Sequence, residues 1–335
     1  MERSNTQSLE QTELPSELLL RPDRLHLFPI VYSDVWSMYK QAESSFWTVE
    51  EVDLSDDKKD FEKLTPNEQH FISHVLAFFA TADGLVFDNI DANFGEEVQM
   101  REAKNFYGCQ RFIEGIHNEM YSQMIESIMS DAKHRDAVFA AVHAFPGIRR
   151  KTEWALKYMD RRHADFGIRL VAFVIMEYIF FSASFAAIFY FRKRGKMNGL
   201  CFSNELIARD EALHASFGCL LFRKYLDKKP SEAVVHEMTR AAVEIESEFV
   251  RESLPVNLIG INAESMIEYV KFVSDHMLSA LGFAKLFNAK NPFEWMELIS
   301  MQGKTNFFEK RVGEYSKANV GNTEEQNTIA FDADF

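Results

Sequence analysis

The stretch from Leu170 to Phe191 constrains this chain more than any other. It is apolar almost throughout, is long enough to cross a bilayer, and is flanked by Arg162, Arg169, Arg192, Lys193 and Arg194. Its one charged residue is Glu177, near the middle. Such a segment is either a membrane span or a helix buried on all sides within a bundle. A lone carboxylate at the centre of a bilayer is costly. The expectation is therefore a buried bundle helix and no membrane association, provided that Glu177 has a task inside the protein. Composition points the same way. Phe is over-used, at 31 of 335 residues, whereas Gly (14) and Pro (8) are scarce, which favours long helices over strands and turns.

The expected fold is all-α. A polar arm with scattered proline occupies residues 1–30, and the helical body runs over 31–315. Within it, Asp34 to Ala42 reads as a short helix. Thr65-Pro66-Asn67-Glu68 is a capping-box start with proline at the first helical position, and its helix runs past Phe87. A second long helix spans roughly Glu97 to Met129, with shorter ones at Arg135–Ala144 and Arg149–Arg161. After the apolar helix come a turn at Gly195–Gly199 and helices at Ser203–Leu226, Ser231–Glu252 and Ala263–Phe287. Residues 316–335 are polar and uncapped and are expected to be a flexible tail.

Charge and cysteine content narrow the function. There are 37 basic and 51 acidic residues, a net charge of −14, and no Lys/Arg-rich stripe, so nucleic acid is a poor candidate partner. Three cysteines, Cys109, Cys201 and Cys219, cannot form a disulfide framework, and no basic-then-apolar leader opens the chain. A reducing, cytoplasmic setting is expected. Gly303-Lys304-Thr305 is no phosphate loop, because Leu298 stands where the first glycine belongs.

The pattern Glu-x-x-His occurs twice, as Glu114-Gly-Ile-His117 and Glu211-Ala-Leu-His214. Positions i and i+3 share a helix face, so each motif offers a carboxylate and an imidazole to one metal. One such motif is most often a solvated helix face. Here Phe112, Ile113 and Ile116 flank the first, and Ile207, Leu213 and Phe217 the second. Burying two Glu and two His among such neighbours is expensive unless cations neutralise them. Two Glu-x-x-His motifs plus a carboxylate from each of two further helices form the ligand set of dinuclear carboxylate bundles.

Upstream carboxylates stand at matching distances. Glu177 precedes Glu211 by 34 residues and Asp83 precedes Glu114 by 31, a spacing suited to helical hairpins. Asp83 precedes Gly84, ordinarily a turn signal, and Asp88 is a rival on periodicity alone. Oxygen-rich ligands with one imidazole per metal suit iron or manganese better than zinc. Oxygen activation, radical generation and iron storage all remain open at this point. Tyr121 follows His117 by one helical turn on the same face. On residues alone it reads more readily as one ordinary core tyrosine among ten than as a redox partner of the metal site.

Five segments together carry a resemblance: Glu114–Tyr121 (EGIHNEMY), Asn204–His214 (NELIARDEALH), Ser45-Phe46-Trp47, Asn306–Tyr315 (NFFEKRVGEY) and the terminal Phe331-Asp332-Ala333-Asp334-Phe335. From about Leu18 to the last residue, the chain resembles the eukaryotic-type small subunit of class I ribonucleotide reductase. The resemblance implies a ferritin-like helical homodimer that binds two iron ions per chain and uses oxygen to store a radical on a tyrosine beside a di-iron–oxo cluster. That radical reversibly oxidises a cysteine of a separate large subunit, where ribonucleotides are reduced. Carried over by position, Asp83, Glu114 and His117 would hold one iron and Glu177, Glu211 and His214 the other, with Glu114 and Glu211 bridging. Tyr121 would carry the radical in a pocket of Phe181, Phe185 and Ile207. Trp47, Asp210 and His117 match the family's relay, with Arg209 adjoining, and Tyr315 matches the tyrosine that hands the radical across the subunit interface. Independently of the resemblance, Asp210 can accept the second ring N–H of His117, a common way of orienting a ligating imidazole.

One position departs from the family. Tyr178 stands directly after Glu177 where a small residue is expected, and a step of about 100° per residue points it at a neighbouring helix. The tail also reads in two ways. It is a plain acidic end, or Phe331 and Phe335, with Asp332 and Asp334 between and beside them, dock into an apolar groove with a basic rim on the large subunit. The rival functions are a ferritin-like di-iron oxygenase or desaturase and a non-enzymatic iron-binding bundle. Neither gives a reason for Trp47, Tyr315 and the terminal peptide.

Overall fold

A computed structural model describes residues 17–140, 143, 145–254 and 261–293. Tyr315 and the whole tail, including Phe331, Asp332, Asp334 and Phe335, lie outside the described residues, as does the start of the N-terminal arm. Contacts separate a body, Met1–Pro292, from the remaining segment Phe293–Phe335.

No strand occurs among the described residues, and the helices follow the apolar periodicity. They are α1 (Ser33–Ser44), α2 (Asp57–Glu62), α3 (Pro66–Glu97), α4 (Arg101–Ile128), α5 (Ala132–Phe139), α6 (Pro146–Met159), α7 (Phe166–Lys193), α8 (Asn198–Leu220), α9 (Glu232–Ser253) and α10 (Ala263–Leu281). The capping box at α3 forms as expected. Glu68 N–H donates to Thr65 Oγ1 at 3.3 Å and Thr65 N–H to Glu68 Oε2 at 2.8 Å, an arrangement that contributes about 1 kcal/mol.

Several boundaries differ from expectation, each for an identifiable reason. Helix α4 starts at Arg101 rather than near Glu97, because α3 itself runs on to Glu97 and the chain then breaks. The N-terminal arm holds that break: Gln99 N–H donates to Leu19 O at 2.7 Å and Arg101 N–H to Asp23 Oδ2 at 3.0 Å. Helix α5 begins at Ala132, capped by Asp131, and ends at Phe139, short of the expected Ala144. Helix α8 begins at Asn198, ahead of the expected Ser203, because α2 supplies a cap from outside. The Asp57 carboxylate accepts from Gly199 N–H at 3.0 Å and Leu200 N–H at 2.6 Å. Gly199 is obligatory there, since a Cβ would meet Asp53 O at 2.3 Å. Helix α10 stops at Leu281 instead of Phe287, because Gly282 turns left-handed (φ +93°). The Asp275 carboxylate then gathers the N–H groups of Leu286, Phe287 and Ala289 at 2.8–3.0 Å.

Helices α3 and α7 are each long and apolar enough to cross a membrane by length and composition. In α7, 94% of the most apolar window is buried inside the protein. It packs against α8, α9 and α10, while α3 packs on α4 and α4 on α8. The six candidate ligands lie in the interior enclosed by α3, α4, α7 and α8.

Candidate metal centre

All six residues singled out from the sequence are buried: Asp83 on α3, Glu114 and His117 on α4, Glu177 on α7, Glu211 and His214 on α8. The Asp83-Gly84 pair makes no turn, because α3 continues through it. Asp83 points inward and its rival Asp88 is exposed. Phe112 does not line the first motif as expected. It is 57% exposed, and the burial there comes from Ile113 and Ile116.

The two imidazoles and two of the carboxylates interlock. His117 Nδ1 lies 3.3 Å from Glu114 Oε2 and 2.9 Å from Glu211 Oε1. His214 Nδ1 lies 3.1 Å from Glu114 Oε1 and 3.0 Å from Glu211 Oε2. Glu114 and Glu211 thus each reach both imidazoles, the placement a bridging pair needs. Ligand atoms of Glu114, Glu177, Glu211 and His214 fall within 4.8 Å of one another. Asp83 and His117 lie outside that tightest group but interact electrostatically with its members. Glu177 owes its direction to a local irregularity that the sequence did not announce. Residues Met176–Phe180 form a π turn inside α7, and such one-residue expansions frequently occur at functional sites.

The electrostatics are those of a site built for cations. Burial, followed by the neighbouring carboxylates, holds the carboxyl groups of Asp83 and Glu177 well above their usual range. Burial also works against charge on the imidazoles. Hydrogen bonds to Asp210, Glu114 and Glu211 nevertheless raise His117 well above its usual range, and Glu114 and Glu211 raise His214 to about 9. Were all four carboxylates ionised with both imidazoles protonated, two negative charges would stay uncompensated in the interior, and either protons on Asp83 and Glu177 or bound cations offset them. Three carboxylate oxygens of the candidate ligands have no hydrogen-bond partner: both Asp83 oxygens and Glu177 Oε2. These residues fit two hard divalent cations, whereas a site without a single thiolate does not suit structural zinc.

Two residues close to the cluster escaped the sequence reading. Gln110 Nε2 lies 3.3 Å from Glu114 Oε1 and 3.5 Å from Glu177 Oε1, linking two candidate ligands. Phe79 lies flat against Tyr121, ring centroids 4.5 Å apart and planes 11° apart; Phe181 stacks on Phe79 in turn, and Phe185 packs on it at a tilt of 34°. Both carried a signal, since Gln110 precedes Glu114, and Phe79 precedes Asp83, by one helical turn on the same face. The Tyr121 hydroxyl is buried without a partner, and burial, then the charges of Asp83, Glu211 and Glu114, keep it a neutral phenol. Ile207 is buried on α8. Tyr178 lies away from the cluster, its ring centroid 6.1 Å from that of His276 on α10, and burial pushes its phenol up to about 12.

Residues 24–292 match the family model described as "Ribonucleotide reductase, small chain". The chain belongs to the small-chain family of ribonucleotide reductase. Human ribonucleoside-diphosphate reductase subunit M2 is 53% identical over 321 residues, covering 95% of this chain and 82% of that protein. The tobacco small chain is 55% identical over 309 residues, covering 92% and 93% respectively. Among solved structures, the ribonucleotide reductase Rnr4 homodimer from Saccharomyces cerevisiae superposes with a TM-score of 0.77 at 36% identity, over 90% of this chain and 93% of that one. The all-α, ferritin-like expectation holds for this small subunit.

Proposed function

We propose that this small subunit generates and stores a radical on Tyr121 beside two iron ions and passes it to a large subunit that reduces ribonucleoside diphosphates. The observation that carries the reading is the burial together of four carboxyl groups and two imidazoles, with Tyr121 one helical turn from His117. Asp83, Glu114 and His117 would hold one iron and Glu177, Glu211 and His214 the other. When bound, the iron pair supplies oxygen activation and with it a one-electron oxidant for a nearby phenol.

The remaining work falls to the chain's own side chains. On oxidation Tyr121 would give its electron to that oxidant and its hydroxyl proton to a base at the metal site, and among its titratable neighbours Asp83 acts on it most strongly. Phe79, with Phe181 and Phe185 behind it, seals the ring from water and from reductants. Asp210 stays ionised despite burial, because the charge of Arg209 and hydrogen bonds from His117 and Trp47 oppose the penalty. It therefore couples His117 to Trp47 and can hold or return a proton between them. Tyr315 would carry the radical across the subunit interface, and Phe331, Asp332, Asp334 and Phe335 would tether the large subunit. By similarity to the Rnr4 homodimer, the working form is a homodimer. With its three free cysteines the protein suits a reducing cytoplasm.

The test is reconstitution of the full chain with ferrous iron and oxygen, followed by metal analysis and low-temperature electron paramagnetic resonance. Two irons per chain and a tyrosyl signal are expected. Tight zinc binding with no more than one iron would refute the reading.

A further inference from the structure

Lys151 and Glu246 are buried together against the π turn of α7. Lys151, on α6, is 2% exposed at its side chain and Glu246, on α9, is fully buried, with Nζ 2.5 Å from Oε2. The ammonium sits over two aromatic faces, 3.6 Å from the centroid of Phe78 and 3.7 Å from that of Phe249. It donates to the backbone oxygen of Phe180 at 3.1 Å. The next donor along the chain does similar work, since Ser182 Oγ donates to Ile179 O at 2.7 Å. Ile179 and Phe180 close the turn that carries Glu177.

Stability alone is a weak reason for this pair. A buried ion pair is often no better than two well-packed apolar side chains. Burial also pulls both groups toward neutrality, Lys151 down to about 8 and Glu246 up to about 7. The backbone supplies the missing reason. A π turn puts one extra residue into the helical ladder and displaces carbonyls from their usual partners. At the end of this turn Phe180 O accepts from Lys151 Nζ and Ile179 O from Ser182 Oγ, and the first of these bonds forms whether the amine is charged or neutral. Phe78, beneath the ammonium, also packs on Phe79 and Phe181, next to Tyr121.

We propose that Lys151, held by Glu246 and assisted by Ser182, is a positioning residue that maintains the π turn and so aims Glu177 at the metal site. The proposal rests on the reading of Glu177 as a metal ligand and adds to it a support that no ligand motif contains.

Anaerobic titration of the full-length, metal-free protein with manganous ion, alongside thermal unfolding, separates the possibilities. Wild type should take up two equivalents. Lys151→Met/Glu246→Met removes the donor together with the buried charge, so it should unfold near the wild-type temperature yet bind the second equivalent about 10- to 100-fold more weakly. Glu246→Gln keeps the lysine and its hydrogen bond to Phe180, so it should retain both equivalents even if it unfolds earlier. Ser182→Ala, a small change that folds without difficulty, should weaken the second equivalent alone. The proposal is overturned if affinity merely tracks unfolding temperature across the set, or if the double variant and Ser182→Ala both bind like wild type. A wild type that takes up no second equivalent would instead sink the metal reading of Glu177, and this proposal with it.

Discussion

The indole Nε1 of Trp47 donates to Asp210 Oδ2 at 2.8 Å, and the same oxygen stands 3.4 Å from Nε2 of His117. Arg209 holds the other oxygen of Asp210 at 2.8 Å and the backbone oxygen of Ser45 at 2.8 Å, so the segment bearing Trp47 is tied to α8 at two points. A residue of the loop before α2 thereby communicates with a candidate ligand on α4 through one shared carboxylate.

Trp47→Phe keeps an aromatic ring in the core and deletes that hydrogen bond. It should cost about 1–2 kcal/mol of stability and reduce turnover with the large subunit to background. Tyr315→Phe should also abolish turnover, yet form the Tyr121 radical in normal yield, because it acts downstream. Steady-state assays paired with spin quantification check this, and normal turnover by the Tyr315 variant would exclude the path.

Tyr121→Phe removes a buried hydroxyl that has no hydrogen-bond partner. Its unfolding temperature should be unchanged or slightly raised, since no bond is lost and an unsatisfied polar group, worth about 1 kcal/mol or more, disappears. Iron uptake should persist while the tyrosyl signal and reductase activity vanish. A surviving signal of the same shape would place the radical elsewhere, and Tyr178 would be the first side chain to replace.

His74 supplies a pH dependence remote from the metal site. It is 4% exposed, its ring 3.9 Å from His70 and 4.1 Å from Phe145, and burial together with the charges of His70 and His134 lowers its pKa to about 4 from 6.5. The unfolded chain therefore binds this proton more readily than the folded one. Stability is full above about pH 6.5 and is lost on acidification toward the folded value, amounting to about 2 kcal/mol by about pH 5. Denaturant unfolding of metal-free wild type and His74→Leu at both pH values should show a shallower acid loss in the variant. Parallel losses would mean that His74 is not the group responsible.

Deleting Phe331–Phe335 should leave iron content and radical yield intact and remove activity, because two aromatic anchors, Phe331 and Phe335, and two negative charges, Asp332 and Asp334, are lost from the proposed tether. A synthetic peptide of the last seven residues should compete with the wild-type chain for the large subunit. Unchanged affinity of the truncated protein, measured by titration against the large subunit, would show that the tail contributes nothing to docking.

Local pattern carried much of the site. Two Glu-x-x-His motifs at helical spacing, and a carboxylate isolated in an apolar helix, were legible because ligands that share a helix face must recur at three or four residues. Asp83 was ambiguous because Asp-Gly is a turn signal in isolation, and only the packing of α3 overrides it. Phe112 was misjudged because an apolar residue beside a motif need not face the core. Where helices start and stop was least legible, because the deciding groups come from elsewhere in the chain. Asp57 of α2 caps α8, and the N-terminal arm holds the break before α4.

By itself, then, the sequence determined that the chain is helical, that one helix is buried throughout, and that carboxylates and imidazoles share helix faces at metal-binding spacing. These follow from periodicity and from the cost of burying charge, both of which act along a single helix. Only the tertiary structure decided which way Glu177 points, what lies against Tyr121, and that Lys151 and Glu246 meet beside the π turn. Those relationships join residues from different helices, and their energies exist only once the helices have packed.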